Sequence, residues 1–284
     1  MKKYLSLVTF THTIFAMPFA FIGFFLAVTT TNHTFDWRKL VLMVLCMIFA
    51  RNSAMAFNRY LDRDIDAQNP RTKQRDIPSG RISAPAALTF TLINCGLFIA
   101  ATFFINPLCF YLSPIALFVV MGYSATKRFT ALCHLVLGLG LSLAPIGAYL
   151  VVTGAFALTP VFFSLSVLCW VSGFDIIYAL QDEDFDRSQN LHSIPAYLGK
   201  VNALRLSTFL HVLSALFIVM PVFFTHVGIL YYVGIAFFCA MLIYQHLLVK
   251  PNDLSRVNFA FMTTNGIASV VFAVLFLLDR IWTH

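Results

Sequence analysis

Nine stretches of about twenty mostly apolar residues, each bounded by polar or charged residues, leave this chain few folds to choose from. At about 1.5 Å of rise per residue, such a stretch covers the roughly 30 Å of a bilayer's hydrocarbon as a helix. The expected spans are 9–29, 40–61, 84–105, 108–126, 131–152, 160–181, 203–224, 228–249 and 258–278. Composition agrees, since 60% of the 284 residues are hydrophobic and 11% charged, against roughly 25% charged in a soluble domain. Lys2 and Lys3 precede the first run as they would in a signal peptide. That run is too long for one and holds Pro18, so it reads as a spanning helix. The fold class expected is all-α, a polytopic membrane bundle of about nine transmembrane helices, with residues 1–284 as a single domain.

The formal net charge of +7 does not point to nucleic acid, because the basic residues sit in short loops between spans. With the N-terminus inside, loops 62–83, 127–130, 182–202 and 250–257 share its side. Only Arg38, Lys39 and Arg280 fall opposite. That asymmetry places the N-terminus and both larger polar loops in the cytoplasm. The six cysteines (46, 95, 109, 133, 169 and 239) lie in apolar runs without a CxxC pair, so neither a zinc site nor a disulfide framework is expected. No obligate protein partner is implied; the partners are lipid and what the polar loops bind.

Those loops echo one another. NRYLDRDIDAQNPRTKQRDIPSG closes the second span and YALQDEDFDRSQNLHSIPAYLG closes the sixth, each with two aspartates four apart, a polar loop and then Ile-Pro. Four spans separate them, so both helices run the same way, and a parallel repeat brings the clusters to one membrane face. On a helix, Asn58, Asp62 and Asp66 stack along one edge, as do Tyr178, Asp182 and Asp186, with Asp175 two turns before Asp182. Carboxylates gathered at a membrane helix end repel and lose solvation, which a divalent cation offsets. Oxygen ligands favour Mg²⁺, Mn²⁺ or Ca²⁺ over Zn²⁺, and Mg²⁺ completes its shell with water and phosphate. Two facing clusters suit a diphosphate.

Arg71, Lys73 and Arg75, with Lys127 and Arg128 after the fourth span, add positive charge beside these acids, suited to a polyanionic leaving group or merely marking the cytoplasmic side. Arg51 lies inside the second span, seven residues before Asn58 on the same face, and needs an anion: a ligand carboxylate or Asp175. Arg51, Asp175 and Tyr178 are therefore the expected acceptor-binding residues. His134 and His192 show no metal-ligand spacing and read as structural. Most of the 31 phenylalanines read as packing or lipid-facing residues.

The segments NRYLDRDID, RTKQRDIPSGRIS, YSATKRFT and YALQDEDFD together resemble the UbiA family of membrane prenyltransferases, over nearly the whole chain. KRFTALCHLVLGLGLSLAPIGAYL is similar to the 4-hydroxybenzoate polyprenyltransferase-like branch, which includes MqnP-type enzymes of menaquinone formation. The resemblance implies a helix bundle around a central cavity open to lipid, in a bacterial inner membrane. By it, Asn58, Asp62 and Asp66 hold one Mg²⁺, Asp182 and Asp186 a second, and Lys127 and Arg128 grip the diphosphate. The substrates implied are polyprenyl diphosphate and an aromatic carboxylic acid, 4-hydroxybenzoate or a hydroxynaphthoate. Ser124 stands where many relatives have proline after the tyrosine. Two alternatives stay open: a family member with a haem or chlorophyll precursor as acceptor, and a cation-coupled transporter, whose acids sit near the bilayer midplane instead.

Overall fold

The computed structural model describes Leu7 and residues 15–283, and among these it is helical throughout, with no strand. The elements are α1 (Met17–Thr30), α2 (Trp37–Leu61), α3 (Arg63–Gln68), α4 (Ala84–Phe103), α5 (Pro107–Thr126), α6 (Cys133–Thr153), α7 (Leu158–Ala179), α8 (Glu183–Ser188), α9 (Ile194–Val219), α10 (Ile229–Leu248), α11 (Val257–Phe259) and α12 (Asn265–Thr283). Eight segments are long and apolar enough to cross a membrane, and the shorter apolar α1 makes the ninth helix of the bundle. The chain is an integral membrane protein. The first half of the expected span 9–29 falls largely outside the described residues.

Boundaries follow local chemistry. Asp36 accepts the Arg38 amide at 2.8 Å and starts α2. Asn106 accepts the Cys109 amide at 2.8 Å ahead of Pro107, and Ser193 caps α9 ahead of Pro195. Each supplies the acceptor that an unpaired first-turn N–H requires, with proline where no N–H is needed. This last cap corrects a boundary: 194–202 is helical, not loop, up to a break at Gly199, whose φ of 75° suits glycine. Polar, partly exposed residues such as Lys200 and Asn202 hide that extension from a hydropathy reading. The loop 182–202 also contains α8, and 62–83 contains α3.

Consecutive spans pack in sequence, α2 on α4 and α5, α5 on α6, α6 on α7, α7 on α9, while α1 inserts between α6 and α12. Close approach at α6 and α7 depends on Gly138, where a Cβ would lie 2.5 Å from the Leu168 carbonyl oxygen. The largest buried cluster is built of rings. Phe19, Phe174 and Phe238 pack against Trp170, whose indole N–H donates to Asn265 Oδ1 at 2.9 Å, and Phe163, Phe272 and Phe276 pack around Tyr231 in the same cluster. In a bilayer such interdigitated packing, rather than release of water, holds helices together.

Candidate active site

Both acidic motifs sit where a long helix turns into a short one. At Asp62 (φ −88°, ψ 7°) α2 gives way to α3, and at Asp182 (φ −103°, ψ 4°) a 3₁₀ turn gives way to α8. The unbroken helical edge expected from the four-residue step is therefore kinked at its middle residue in each copy. In the first copy the step itself survives, because the Asp62 amide donates to the Asn58 carbonyl and the Asp66 amide to that of Asp62. Asn58 Nδ2 also donates to Asp62 Oδ2 at 2.8 Å.

The expected convergence of the copies is present. Asp182 accepts Arg71 Nε at 2.9 Å and Asn69 Nδ2 at 3.2 Å, both from the loop after the first motif, while Arg71 Nη1 donates to the Tyr178 hydroxyl at 2.8 Å. A second Arg71 nitrogen reaches the other Asp182 oxygen. Arg75 Nη1 bridges both oxygens of Asp66, at 2.8 and 2.9 Å. Arg128 meets Asp62 at 2.9 Å, and Lys127 meets Asp186 at 2.7 Å. Four motif acids thus face four basic residues, one each.

Burial and pairing compete for these charges. Burial holds the Asp62 carboxyl above its ordinary range even though Arg128 opposes it. Burial also works against charge on Arg71, yet its bonds to Asp182 outweigh this and hold the guanidinium above its usual value. Asp186 is fully buried, and its contact with Lys127 lacks hydrogen-bond direction, so among the described residues neither oxygen has a hydrogen-bond partner. Lys73 points to solvent and is not part of the cavity wall.

A cavity of about 670 Å³ opens beneath the paired charges. Its polar end is lined by Asn58, Asp62, Asp66, Arg71 and Asp182, its far end by Phe98, Ile105, Leu150 and Phe156. Met43 and Asp62 both line it, so it extends about 28 Å along α2. Arg51 projects into the middle, with Nη2 3.1 Å from Met55 Sδ. Asp175 also lines it, but its partner is His134 rather than Arg51, with Nδ1 to Oδ2 at 2.6 Å. His134, read from the sequence as structural, is thus part of the wall. Arg59 and Tyr123 are further lining residues that the sequence reading missed. Tyr123 had a signal: it lies one helical turn before Lys127 on the same face. The ring of Phe261, carried by the π-helical stretch Ala260–Thr264, packs on Tyr178 at a 30° tilt with centroids 4.2 Å apart. Such π segments concentrate at functional sites.

Among the described residues no three His, Cys, Asp or Glu side chains converge tightly enough to share one metal. That is no obstacle to Mg²⁺, which takes one or two carboxylates and fills its shell from water and phosphate. Two observations favour a divalent cation here. Asp186 is a buried acid whose oxygens lack hydrogen bonds, and the four acid–base pairs cancel, leaving no positive charge from them to balance a diphosphate.

Comparison with known proteins bears on this geometry. The UbiA prenyltransferase family model matches residues 16–267. The 4-hydroxybenzoate octaprenyltransferase of Aliivibrio fischeri is 30% identical over 244 residues, covering 84% of each chain. That of Alkalilimnicola ehrlichii is 28% identical over 242 residues, 85% of this chain and 82% of the other. The apo structure of a UbiA homolog from Aeropyrum pernix K1 superposes with a TM-score of 0.85 at 30% identity, over 94% of this chain and 98% of that one. A UbiA homolog from Archaeoglobus fulgidus bound to GPP and Mg²⁺ shares the fold, with a TM-score of 0.75 at 21% identity over 98% and 99%. With the family model spanning most of its length and both repeated acidic motifs meeting over one cavity, the chain belongs to the UbiA prenyltransferase family.

Proposed function

We propose that this protein transfers a polyprenyl group from polyprenyl diphosphate to a ring carbon of an aromatic acid, 4-hydroxybenzoate or a hydroxynaphthoate, in formation of a membrane quinone. The observation that carries the reading is the pairing of four acids with four bases at one end of a cavity that is otherwise apolar. A diphosphate head suits the charged end and a prenyl tail the apolar remainder. The curated relatives named above act on 4-hydroxybenzoate, and the Archaeoglobus protein binds GPP with Mg²⁺, which supports the same substrate classes here.

Asn58, Asp62 and Asp66 would hold one Mg²⁺, and Asp182 and Asp186 a second. When bound, Mg²⁺ supplies positive charge against the diphosphate oxygens, worth several kcal/mol when charge builds on a leaving group. Arg71, Arg75, Lys127 and Arg128 stand around the same oxygens and stabilise the departing diphosphate as the allylic C–O bond breaks. Arg51, deeper in the cavity, grips the acceptor's carboxylate, and Tyr178, held between Arg71 and Phe261, forms the wall against which the acceptor lies. The apolar walls exclude water, which would otherwise capture that cation. The motif end faces the cytoplasm, consistent with the Lys and Arg distribution.

The test is incubation of membranes carrying the protein with radiolabelled polyprenyl diphosphate and a panel of hydroxybenzoates, hydroxynaphthoates, haem and chlorophyll precursors. Label in a prenylated aromatic acid, lost in excess EDTA, is the expected result. Transfer to a porphyrin alone, or undiminished transfer in EDTA, overturns it. Cysteines placed at the exposed Ser79 and Ser188 test orientation separately; labelling of either only from outside contradicts a cytoplasmic site.

A further inference from the structure

Of the four acids that line the cavity, three face a lysine or arginine: Asp62 with Arg128, Asp66 with Arg75 and Asp182 with Arg71. Asp175 differs. Its partner is His134 on the neighbouring helix α6. The Ile194 amide, at the start of α9, donates to His134 Nε2 at 3.3 Å, so that nitrogen offers its lone pair. Nδ1, on the other side of the ring, donates to Asp175 Oδ2 at 2.6 Å. His134 is almost fully buried, whereas the Asp175 side chain keeps 21% of its surface. Oδ2 is held by the ring and Oδ1 has no hydrogen bond among the described residues.

A carboxylate bound by a guanidinium or a metal is a poor proton acceptor, because the neighbouring positive charge favours its ionised form. Asp175 has no guanidinium or ammonium partner among the described residues, and the imidazole fixes its direction through one oxygen alone. We propose that Asp175 is the base that removes the ring proton after prenylation and that His134 is its positioning residue; this rests on the aromatic-acceptor reading above. The step balances. Once the prenyl carbon has bonded to the ring, that ring carbon carries both the new substituent and its hydrogen. Asp175 Oδ1 takes the hydrogen as a proton, the C–H electron pair returns to the ring, and aromaticity is restored. The neutral carboxylic acid later gives its proton to released diphosphate or water. Around this group the cavity wall also presents Tyr178 from the same helix, Tyr123 and Lys127 from α5 and its end, Cys133 beside His134, and Arg51 from α2.

His134 does more than hold one oxygen. The His192 amide donates to the Lys127 carbonyl at 2.8 Å, and Cys133 Sγ contacts the His192 carbonyl at 3.5 Å. The segment before α9 is therefore strapped to the turn between α5 and α6, and His134 carries that strap down to Asp175. The orientation of the base is tied to the loop that also carries Lys127.

The experiment uses the whole protein in membranes or detergent, with 4-hydroxybenzoate deuterated ortho to its hydroxyl. Asp175→Asn is expected to lower kcat by about 10²-fold or more and to leave the KM for polyprenyl diphosphate unchanged. It should also raise the deuterium isotope effect on kcat above the wild-type value, because proton removal becomes the slow step. His134→Leu should show the same signature more weakly. His134→Asn, whose amide N–H stands near the lost Nδ1–H, should recover much of the rate. A folded Asp175→Asn enzyme with an unraised isotope effect overturns the proposal, as does loss of binding of both substrates, which marks a structural role. If Asp175→Asn does not fold, His134→Leu carries the same isotope test. Failure of the unmodified protein to prenylate any aromatic acid overturns the acceptor reading instead, and is told apart because no variant is involved.

Discussion

The two acidic motifs are near copies in sequence and in backbone, yet they are wired differently. The first is partly self-contained: Asp66 is bound by Arg75, nine residues on in its own loop, and Asn58 supports Asp62 within one turn. The second draws both cations from elsewhere. Asp182 takes Arg71 from 111 residues earlier in the chain, and Asp186 takes Lys127 from the turn after α5. It is also the drier of the two, with Asp186 fully buried while the Asp62 side chain keeps 21% of its surface. Local pairs form with little loss of chain entropy, whereas long-range ones exist only once the bundle is assembled. The first motif thus takes one of its two cations, Arg75, from its own segment and only Arg128 from afar, whereas the second takes both from the rest of the fold.

Removing the acids is the strongest way to test whether that difference reaches function. Asp62→Asn and Asp182→Asn each delete one charged ligand from a separate motif. Both are expected to lower kcat by about 10³-fold or more, the equivalent of several kcal/mol of charge stabilisation. Equal membrane expression and unchanged detergent Tm establish that the variants fold. The comparison sharpens if Asp182→Asn also lowers Tm, by leaving Arg71 without its anion, while Asp62→Asn does not. Wild-type turnover in either variant removes that residue from the site.

A smaller effect separates the arginines. Arg71 uses two nitrogens on two oxygens of Asp182, a forked geometry that an ammonium cannot copy. Arg75 brings a single nitrogen to both oxygens of Asp66, which a lysine amine can imitate. Arg71→Lys should therefore cost about 10-fold to 100-fold in kcat/KM for the prenyl donor, in line with roughly 1.4 kcal/mol per tenfold. Arg75→Lys should stay within a few-fold of wild type. Equal losses in the two would show that the difference in wiring has no functional weight.

How far this was readable from sequence follows the same division. The number of spans, both motifs and their convergence come from apolar run length, four-residue spacing and an even number of intervening spans, all local or countable. The kinks at Asp62 and Asp182 do not, because a short helix following a long one has the same residue preferences as its continuation. The first turns of α9 were hidden by Lys200 and Asn202, whose polarity reads as loop. The pairing of His134 with Asp175 was invisible for a different reason: it depends on how α6 and α7 are rotated against each other, and Gly138 alone hints at their close approach. Arg51 was expected to face either a ligand or Asp175, and only the fold shows Asp175 turned to the histidine.

Arg51 gives an effect confined to one substrate and the finest division between the charged and apolar ends of the cavity. Seven residues at about 1.5 Å each place it about 10 Å from Asn58 along α2, a span that accommodates a ring between the diphosphate and a carboxylate. Both residues line the cavity. A guanidinium holds a carboxylate through two parallel hydrogen bonds, and an ammonium keeps the charge but loses the fork. Arg51→Lys should raise the KM for the acceptor about 10-fold, near the low end of the roughly 1.5–3 kcal/mol of one charged hydrogen bond, and leave the KM for the prenyl donor within about two-fold. If Arg51 instead braces the bundle, the same change lowers Tm and shifts both constants together. With Asp175 already held by His134, loss of a structural ion pair between Arg51 and Asp175 would not be the cause. An unchanged acceptor KM in a stable Arg51→Lys enzyme would mean that the carboxylate is recognised elsewhere, with Arg59, the other arginine of α2 in the cavity wall, as the next residue to substitute.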